Sequence, residues 1–171
     1  MKRPPAKSCT QRPRGPVIAD QHNPENAASV LVAEDFEDYR RFIAASLDKQ
    51  RSVRIVGEAT DGMQAVQKAL ELKPDIILMD IGMPNLNGIE AARQILASLP
   101  ESKILFLSQE LSKDIALHAL GIGARGYVVK SQAAKELVPA IETVLKGERF
   151  VSRVLGLNGA STPKSSAAHS E

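Results

Sequence analysis

Short apolar runs and amphipathic stretches alternate along the middle of the chain. The runs are "SVLVA" (29–33), "VRIVGEA" (53–59), "DIILMD" (75–80), "KILFLS" (103–108) and "GYVVK" (126–130). Continuous apolar runs this short suit strands buried on both faces. Between and after them, apolar residues recur at three and four, as in Ile89, Ala92, Ile95, Leu96 and Leu99. That spacing predicts helices at about 37–49, 62–72, 88–98, 112–121 and 132–146. Strict alternation of buried strands with helices predicts an α/β fold, a five-stranded parallel sheet with helices on both faces.

The punctuation agrees. Asn87 and Glu90 have capping-box spacing, Pro74 and Pro100 follow helix ends, and Gly121 and Gly123 suit a helix C-terminus. Pro139 breaks the pattern, because inside a helix it removes one backbone hydrogen bond and costs about 3 kcal/mol. Leu137, Ile141, Val144 and Leu145 keep the helical period through it, so a helix bent near Lys135–Pro139 is expected.

Composition refines the boundaries. Residues 1–28 are rich in Pro, Arg, Lys, Ser and Asn without periodic apolar positions, and residues 156–171 are rich in Gly, Ser and Ala. Both read as disordered tails around one domain at 29–155. The net charge of +2 is uneven, since the first 28 residues carry five basic and two acidic side chains and the domain itself is nearly neutral. Such a dispersed basic tail reads as solvated and not as a nucleic-acid surface. No apolar run reaches the roughly 18 residues of a membrane span, and the basic N-terminus lacks a signal-peptide core. The single cysteine, Cys9, cannot form an internal disulfide, so a cytoplasmic location is expected.

The chemistry gathers where the strands end. Strand one is followed by Glu34 and Asp35, strand three ends in Asp80, strand four in Ser108 and strand five in Lys130. In an open α/β sheet the crevice beyond the C-terminal strand ends is where ligands bind. Each residue alone has an ordinary explanation: an acidic helix start, a loop hydroxyl, a surface charge. Together they lie at one edge of one sheet. If strands one and three are neighbours, three carboxylates converge, and their repulsion calls for a cation. Hard oxygen donors suit Mg²⁺ better than Zn²⁺, which prefers His or Cys. An Asp carboxylate can carry a phosphoryl group as an aspartyl-phosphate. Lys130 and the Ser108 hydroxyl could hold the oxygens of that group, Gly82 could bring its backbone carbonyl to the metal, and Met83-Pro84 could stiffen the loop.

The segments "VLVAEDFEDYR", "GEATDGMQAV", "PDIILMDIGMPNLNGIEA", "ILFLS", "GARGYVVKS" and "LKGERFVS" resemble a receiver domain of two-component response regulators, most closely the NarL/FixJ type. The resemblance implies a flavodoxin-like three-layer sandwich with strand order 2-1-3-4-5. It implies Asp80 as phosphoacceptor, Glu34, Asp35, Asp80 and the Gly82 carbonyl around Mg²⁺, Ser108 as switch hydroxyl, Lys130 as the phosphoryl-binding lysine and Tyr127 as a rotating aromatic. In that family the hydroxyl moves to the phosphoryl group and the aromatic turns inward behind it, which changes the face from about 111 to 146. Glu34 stands where an Asp is commoner, Ser108 where Thr is, and Ser131 where many such domains have Pro. Glu110 occupies a position that tunes phosphate lifetime.

The implied partners are a sensor histidine kinase or phosphotransfer protein, and downstream a protein partner or second copy engaged through 111–146. Only 16 residues follow Leu155, too few for the helix-turn-helix output domain usual in this type, so a stand-alone receiver without direct DNA binding is expected. Its chemistry would be self-phosphorylation and autodephosphorylation, not turnover as an enzyme. Alternatives are a truncated transcription regulator or a phosphorylation-independent adaptor. A haloacid-dehalogenase-like phosphohydrolase needs a second Asp two positions after the nucleophile, where Gly82 stands. A flavodoxin-like FMN carrier is excluded by "AEDFED", which would repel phosphate.

Overall fold

The computed structural model describes residues 26–157. The chain runs β1 (Ala28–Ala33), α1 (Glu37–Asp48), β2 (Val53–Ala59), α2 (Gly62–Leu72), β3 (Ile76–Asp80), α3 (Gly88–Ser98), β4 (Lys103–Ser108), α4 (Lys113–Gly121), β5 (Gly126–Val129), α5 (Ala133–Leu145) and β6 (Phe150–Val151). Every pairing is parallel, in the order β2-β1-β3-β4-β5-β6. The expected order is present, but the sheet has six strands, not five. β6 has two residues, too few to show a period, and it pairs Phe150 and Val151 with Gly126 and Tyr127. The proposed tails lie largely outside the described residues, although Ala28, assigned to the first tail, opens β1.

The two-residue repeat of a strand divides the core into two layers. Val30, Val32, Ile76, Leu78, Leu105, Leu107 and Val128 pack with Ile43 and Leu47 of α1 and with Leu137, Ala140, Ile141 and Val144 of α5. Leu31, Ala33, Ile77, Met79, Ile104, Phe106 and Tyr127 pack with alanines of α2, α3 and α4. This explains why β3 is buried along its whole length and apolar up to Asp80: both of its faces are covered.

Local signals account for the helix ends. The side chains of Asp61, Asn87 and Ser112 accept from Gln64 N, Glu90 N and Ile115 N, capping α2, α3 and α4. Asn87 supplies its half of the capping box, while the Glu90 carboxylate lies 3.8 Å from Arg93. Ser112, read as helical, is thus the cap of α4. Lys73, at φ 44°, ends α2 before Pro74, and Gly123, at φ 111°, turns the chain after α4. α5 runs through Pro139, whose ring is on the exposed side and whose carbonyl accepts from Thr143 Oγ1 at 2.7 Å.

Asp75 and Lys130, read as strand residues, lie just outside β3 and β5. The Asp75 carboxylate accepts from Ser29 N and Ser29 Oγ, both at 2.7 Å, clasping the N-terminal ends of β1 and β3. Led by the bond from Ser29 N, these contacts hold the Asp75 carboxyl below its ordinary value of 3.8. A carboxyl depressed by folding stabilises fully above its unfolded pKa and loses that contribution as pH falls through the folded one. Asp75→Asn should therefore cost about 0.5–1 kcal/mol near neutrality, a modest figure because the group is exposed. Thermal melts should show the gap between variant and wild type shrinking below about pH 4, and a gap that widens there would refute the assignment.

Candidate functional site

The alternation that sorts the core also sorts the site. Glu34, Asp80 and Lys130 continue the rows of Val32, Leu78 and Val128, on the side of α1 and α5. Ser108 and Tyr127 continue the opposite row, on the side of α4. Their common meeting place is the C-terminal edge of the sheet. β3 and β4 pair Asp80 with Leu107, so Ser108 follows one residue later, and Ser108 itself pairs with Val129, the residue before Lys130.

On the first side is an ionic cluster. The Lys130 ammonium lies 2.7 Å from Glu34 Oε2 and 3.1 Å from Asp80 Oδ1. Glu34 is fully buried, and Asp80 and Lys130 are nearly so. Burial pushes the Glu34 carboxyl above its ordinary range, with Asp80 adding to the effect and Lys130 opposing it. Its other oxygen accepts from Phe36 N at 3.2 Å. Asp35 is exposed, yet Glu34, Asp35 and Asp80 can bring one carboxylate oxygen each within 4.8 Å of one another.

Two α1 residues complete this side, and neither was singled out from the sequence. The Tyr39 ring lies 4.5 Å from the Lys130 ammonium and 5.3 Å, centroid to centroid, from Phe42. A cation over an aromatic face is favourable, so the ring steadies the ammonium. The Tyr39 hydroxyl is buried without a partner, and burial, reinforced by Glu34 and Asp80, raises its pKa strongly and keeps it protonated. Arg40 Nη1 donates to the carbonyls of Glu34 and Asp35, each at 2.9 Å, tying the acidic loop to the helix. The sequence clue was helical spacing: the first turns of α1 fold back over the acidic pair.

On the α4 side, Tyr127 is fully buried, with its hydroxyl donating to the Glu110 carbonyl at 3.0 Å. Burial raises its pKa, and the Glu110 charge adds to the effect. Ser108 Oγ accepts from Glu110 N at 3.1 Å. Both side chains are therefore tied to one residue of the β4–α4 loop. Gly82 is exposed, and a Cβ built on it would lie 3.7 Å from Asp80 Oδ2, leaving its backbone beside the acidic cluster.

Charge decides what such a site can hold. Three carboxylates face one ammonium, while Arg40 is turned to backbone carbonyls. The excess negative charge on clustered hard oxygens fits a small divalent cation.

Comparison with known proteins agrees with this geometry. The family model for the response regulator receiver domain matches residues 30–142. The chain is 39% identical over 128 residues to the transcriptional regulatory protein LiaR of Bacillus subtilis, covering 74% of this chain and 61% of that one. It is 38% identical over 127 residues to the oxygen regulatory protein NreC of Staphylococcus aureus, covering 74% and 58%. It therefore spans about three fifths of the length of these curated relatives. Among solved structures, a LuxR-family two-component response regulator from Aurantimonas aligns with TM-score 0.73 and 33% identity over 76% of this chain and 93% of that one. The isolated receiver domain of RcsB from Salmonella enterica, determined with a beryllofluoride phosphomimetic, aligns with TM-score 0.72 and 25% identity over 77% and 97%. Among the described residues no helix is long and apolar enough to cross a membrane. With its sheet order, its acidic strand-end cluster and a family model spanning most of its length, this chain belongs to the response regulator receiver family.

Proposed function

We propose that the chain accepts a phosphoryl group on Asp80 from a sensor histidine kinase or phosphotransfer protein and passes the change to a protein partner. The observation that carries this reading is the Lys130 ammonium, held 2.7 Å from Glu34 and 3.1 Å from Asp80 within a three-carboxylate cluster. A charged lysine at such a distance neutralises the nucleophile's surroundings and can follow the phosphoryl oxygens as they arrive.

In the proposed step an Asp80 carboxylate oxygen attacks phosphorus as the P–N bond of the donor phosphohistidine breaks and the imidazole leaves. Glu34, Asp35, Asp80 and the Gly82 carbonyl would hold Mg²⁺, which would supply positive charge to offset that of the phosphoryl oxygens. Lys130 stabilises the charge that develops in the transfer, and the Ser108 hydroxyl, released from Glu110 N, donates to a remaining oxygen. The domain undergoes phosphorylation and dephosphorylation at this one aspartate and does not turn over a separate substrate.

The output follows from the shared attachment at Glu110. Withdrawal of Ser108 frees the amide of the residue whose carbonyl holds Tyr127, so the movement reaches the β4–α4 loop. Tyr127 lies inward here, the orientation that the family reading assigns to the switched form. Exposed Leu111 in that loop and Leu117 on α4 give the 111–146 region apolar contacts for a partner or a second copy. Biasing this loop is a local charge event with a distant readout.

Intact-mass analysis after incubation with acetyl phosphate and Mg²⁺ tests the proposal. The expected result is a gain of one phosphoryl group, abolished by chelator and absent from Asp80→Asn. An adduct that persists in Asp80→Asn would move the acceptor elsewhere. No adduct, together with no beryllofluoride-induced spectral change, would overturn phosphoacceptance.

A further inference from the structure

Ser152 is a fully buried polar residue that the phosphotransfer chemistry does not use. Its hydroxyl accepts from Val129 N at 2.8 Å and donates to Glu136 Oε2 at 2.5 Å. The other Glu136 oxygen accepts from Arg153 N at 3.2 Å, and Ser152 N donates to the Tyr127 carbonyl at 2.9 Å. Four elements therefore meet at Ser152: the end of β5 and the first turn of α5 through its hydroxyl, and β6 and the 3-10 turn Arg153–Leu155 on either side of it in the chain.

The backbone explains why a side chain is needed there. The β5–β6 ladder reaches Tyr127, and Ser152 N continues it by one bond. The chain then turns away from the sheet into Arg153–Leu155, so no backbone carbonyl of β6 is left for Val129 N. An unpaired buried amide is costly, and the Ser152 hydroxyl stands in for the missing strand. Val129 is thereby gripped from two sides, by β4 through its pairing with Ser108 and by Ser152. The next residue is Lys130, which opens the short turn Lys130–Gln132 and sends its ammonium to Glu34 and Asp80.

We infer that Ser152, oriented by Glu136, is a positioning residue for Lys130: it fixes the end of β5 from which that side chain reaches the phosphorylation site. This deepens the phosphoacceptor reading and rests on it for the kinetic consequence, though not for the structural one. A lysine on a loosened strand end still carries its charge but spends less time between the two carboxylates. Misplacement by about 1 Å can cost up to about 100-fold in rate.

Ser152→Ala is compared with Leu155→Ala, which loosens the same segment by removing buried apolar volume and leaves the hydroxyl link in place. Acetyl phosphate is the donor, and thermal melts report the stability of each variant. Ser152→Ala is expected to lower the saturating phosphorylation rate about 10-fold or more with little change in half-saturating donor concentration, while Leu155→Ala stays within about twofold of wild type. In Mg²⁺-free protein, nuclear magnetic resonance of the Lys130 ammonium should show its slowly exchanging signal broadened in Ser152→Ala and retained in Leu155→Ala. Rates that fall in both variants in step with melting temperature, or an unchanged ammonium signal in Ser152→Ala, would overturn the inference. If wild type takes no phosphoryl group, the phosphoacceptor reading fails, and the ammonium signal still decides whether Ser152 positions Lys130.

Discussion

Lys130→Met is expected to unfold at a clearly lower urea concentration than wild type in Mg²⁺-free buffer, with a loss of about 3 kcal/mol. The substitution keeps most of the side chain's length and apolar stem, so little packing is lost. What disappears is the ammonium shared by Glu34 and Asp80, at 2.7 and 3.1 Å. Glu34 is fully buried and cannot turn to water for compensation. Removing one member of a buried ion pair costs more than the pair contributes, because the remaining charge has lost both its solvent and its partner. Part of that cost returns as the buried Glu34 carboxyl, already raised by burial, takes up a proton, which keeps the loss at the low end of the range. A cation that binds only the folded cluster should restore stability by mass action, so Mg²⁺ should help Lys130→Met at least as much as wild type. Lys135→Met, at an exposed position on α5, serves as control and should change stability by less than about 0.5 kcal/mol. Equal unfolding midpoints for Lys130→Met and wild type would show that the ammonium does not compensate buried charge.

The same cluster shows what the sequence makes legible. Glu34, Asp80 and Lys130 stand out because each interrupts or ends an apolar run, and parallel topology carries such run ends to one edge. Tyr39 and Arg40 interrupt nothing. They lie on an ordinary amphipathic helix and reach the site only because α1 folds back over the acidic pair, a tertiary fact. The inner strands β1, β3, β4 and β5 are legible because burial on both faces imposes an apolar composition. The edge strand β2 keeps enough apolar positions to show beside exposed Arg54 and Glu58, and the helices show by their amphipathic period. β6 is not legible, since two residues carry no period and its place beside β5 is set by backbone pairing with residues more than 20 positions earlier. Pro139 lies inside α5, as the helical period around it predicts. Its neighbours hold the apolar stripe, and it sits on the exposed side, where water can meet the carbonyl left without a helical donor.

Gly88→Ala is the second large effect expected, and helix propensity alone predicts the wrong sign. Gly88 is the first residue of α3, where alanine would ordinarily be preferred by up to about 1 kcal/mol. A Cβ there, however, would lie 2.0 Å from the Asp80 carbonyl oxygen and 2.9 Å from its carbon, with Ile81 Cα at 3.0 Å. These are backbone atoms, so no rotamer change relieves the overlap. Gly88 N also donates to the Ile81 carbonyl at 2.9 Å, which holds the helix start against the end of β3. Either α3 lifts away from the sheet or the Asp80 peptide moves, and the second response drags the carboxylate from its place beside Lys130. Overpacking of this kind costs about 1–3 kcal/mol, more where backbone must shift, so a net loss near 2–3 kcal/mol is expected. The phosphorylation proposed for Asp80 should slow with it. Gly121 at the end of α4 makes the contrast, because a Cβ there meets nothing within 4 Å. Gly121→Ala should be neutral or stabilising by up to about 1 kcal/mol. Urea titrations of the two variants side by side decide the matter: opposite signs establish that α3 is seated against the Asp80 backbone, whereas a Gly88→Ala protein as stable as wild type would show that the helix start does not approach it so closely.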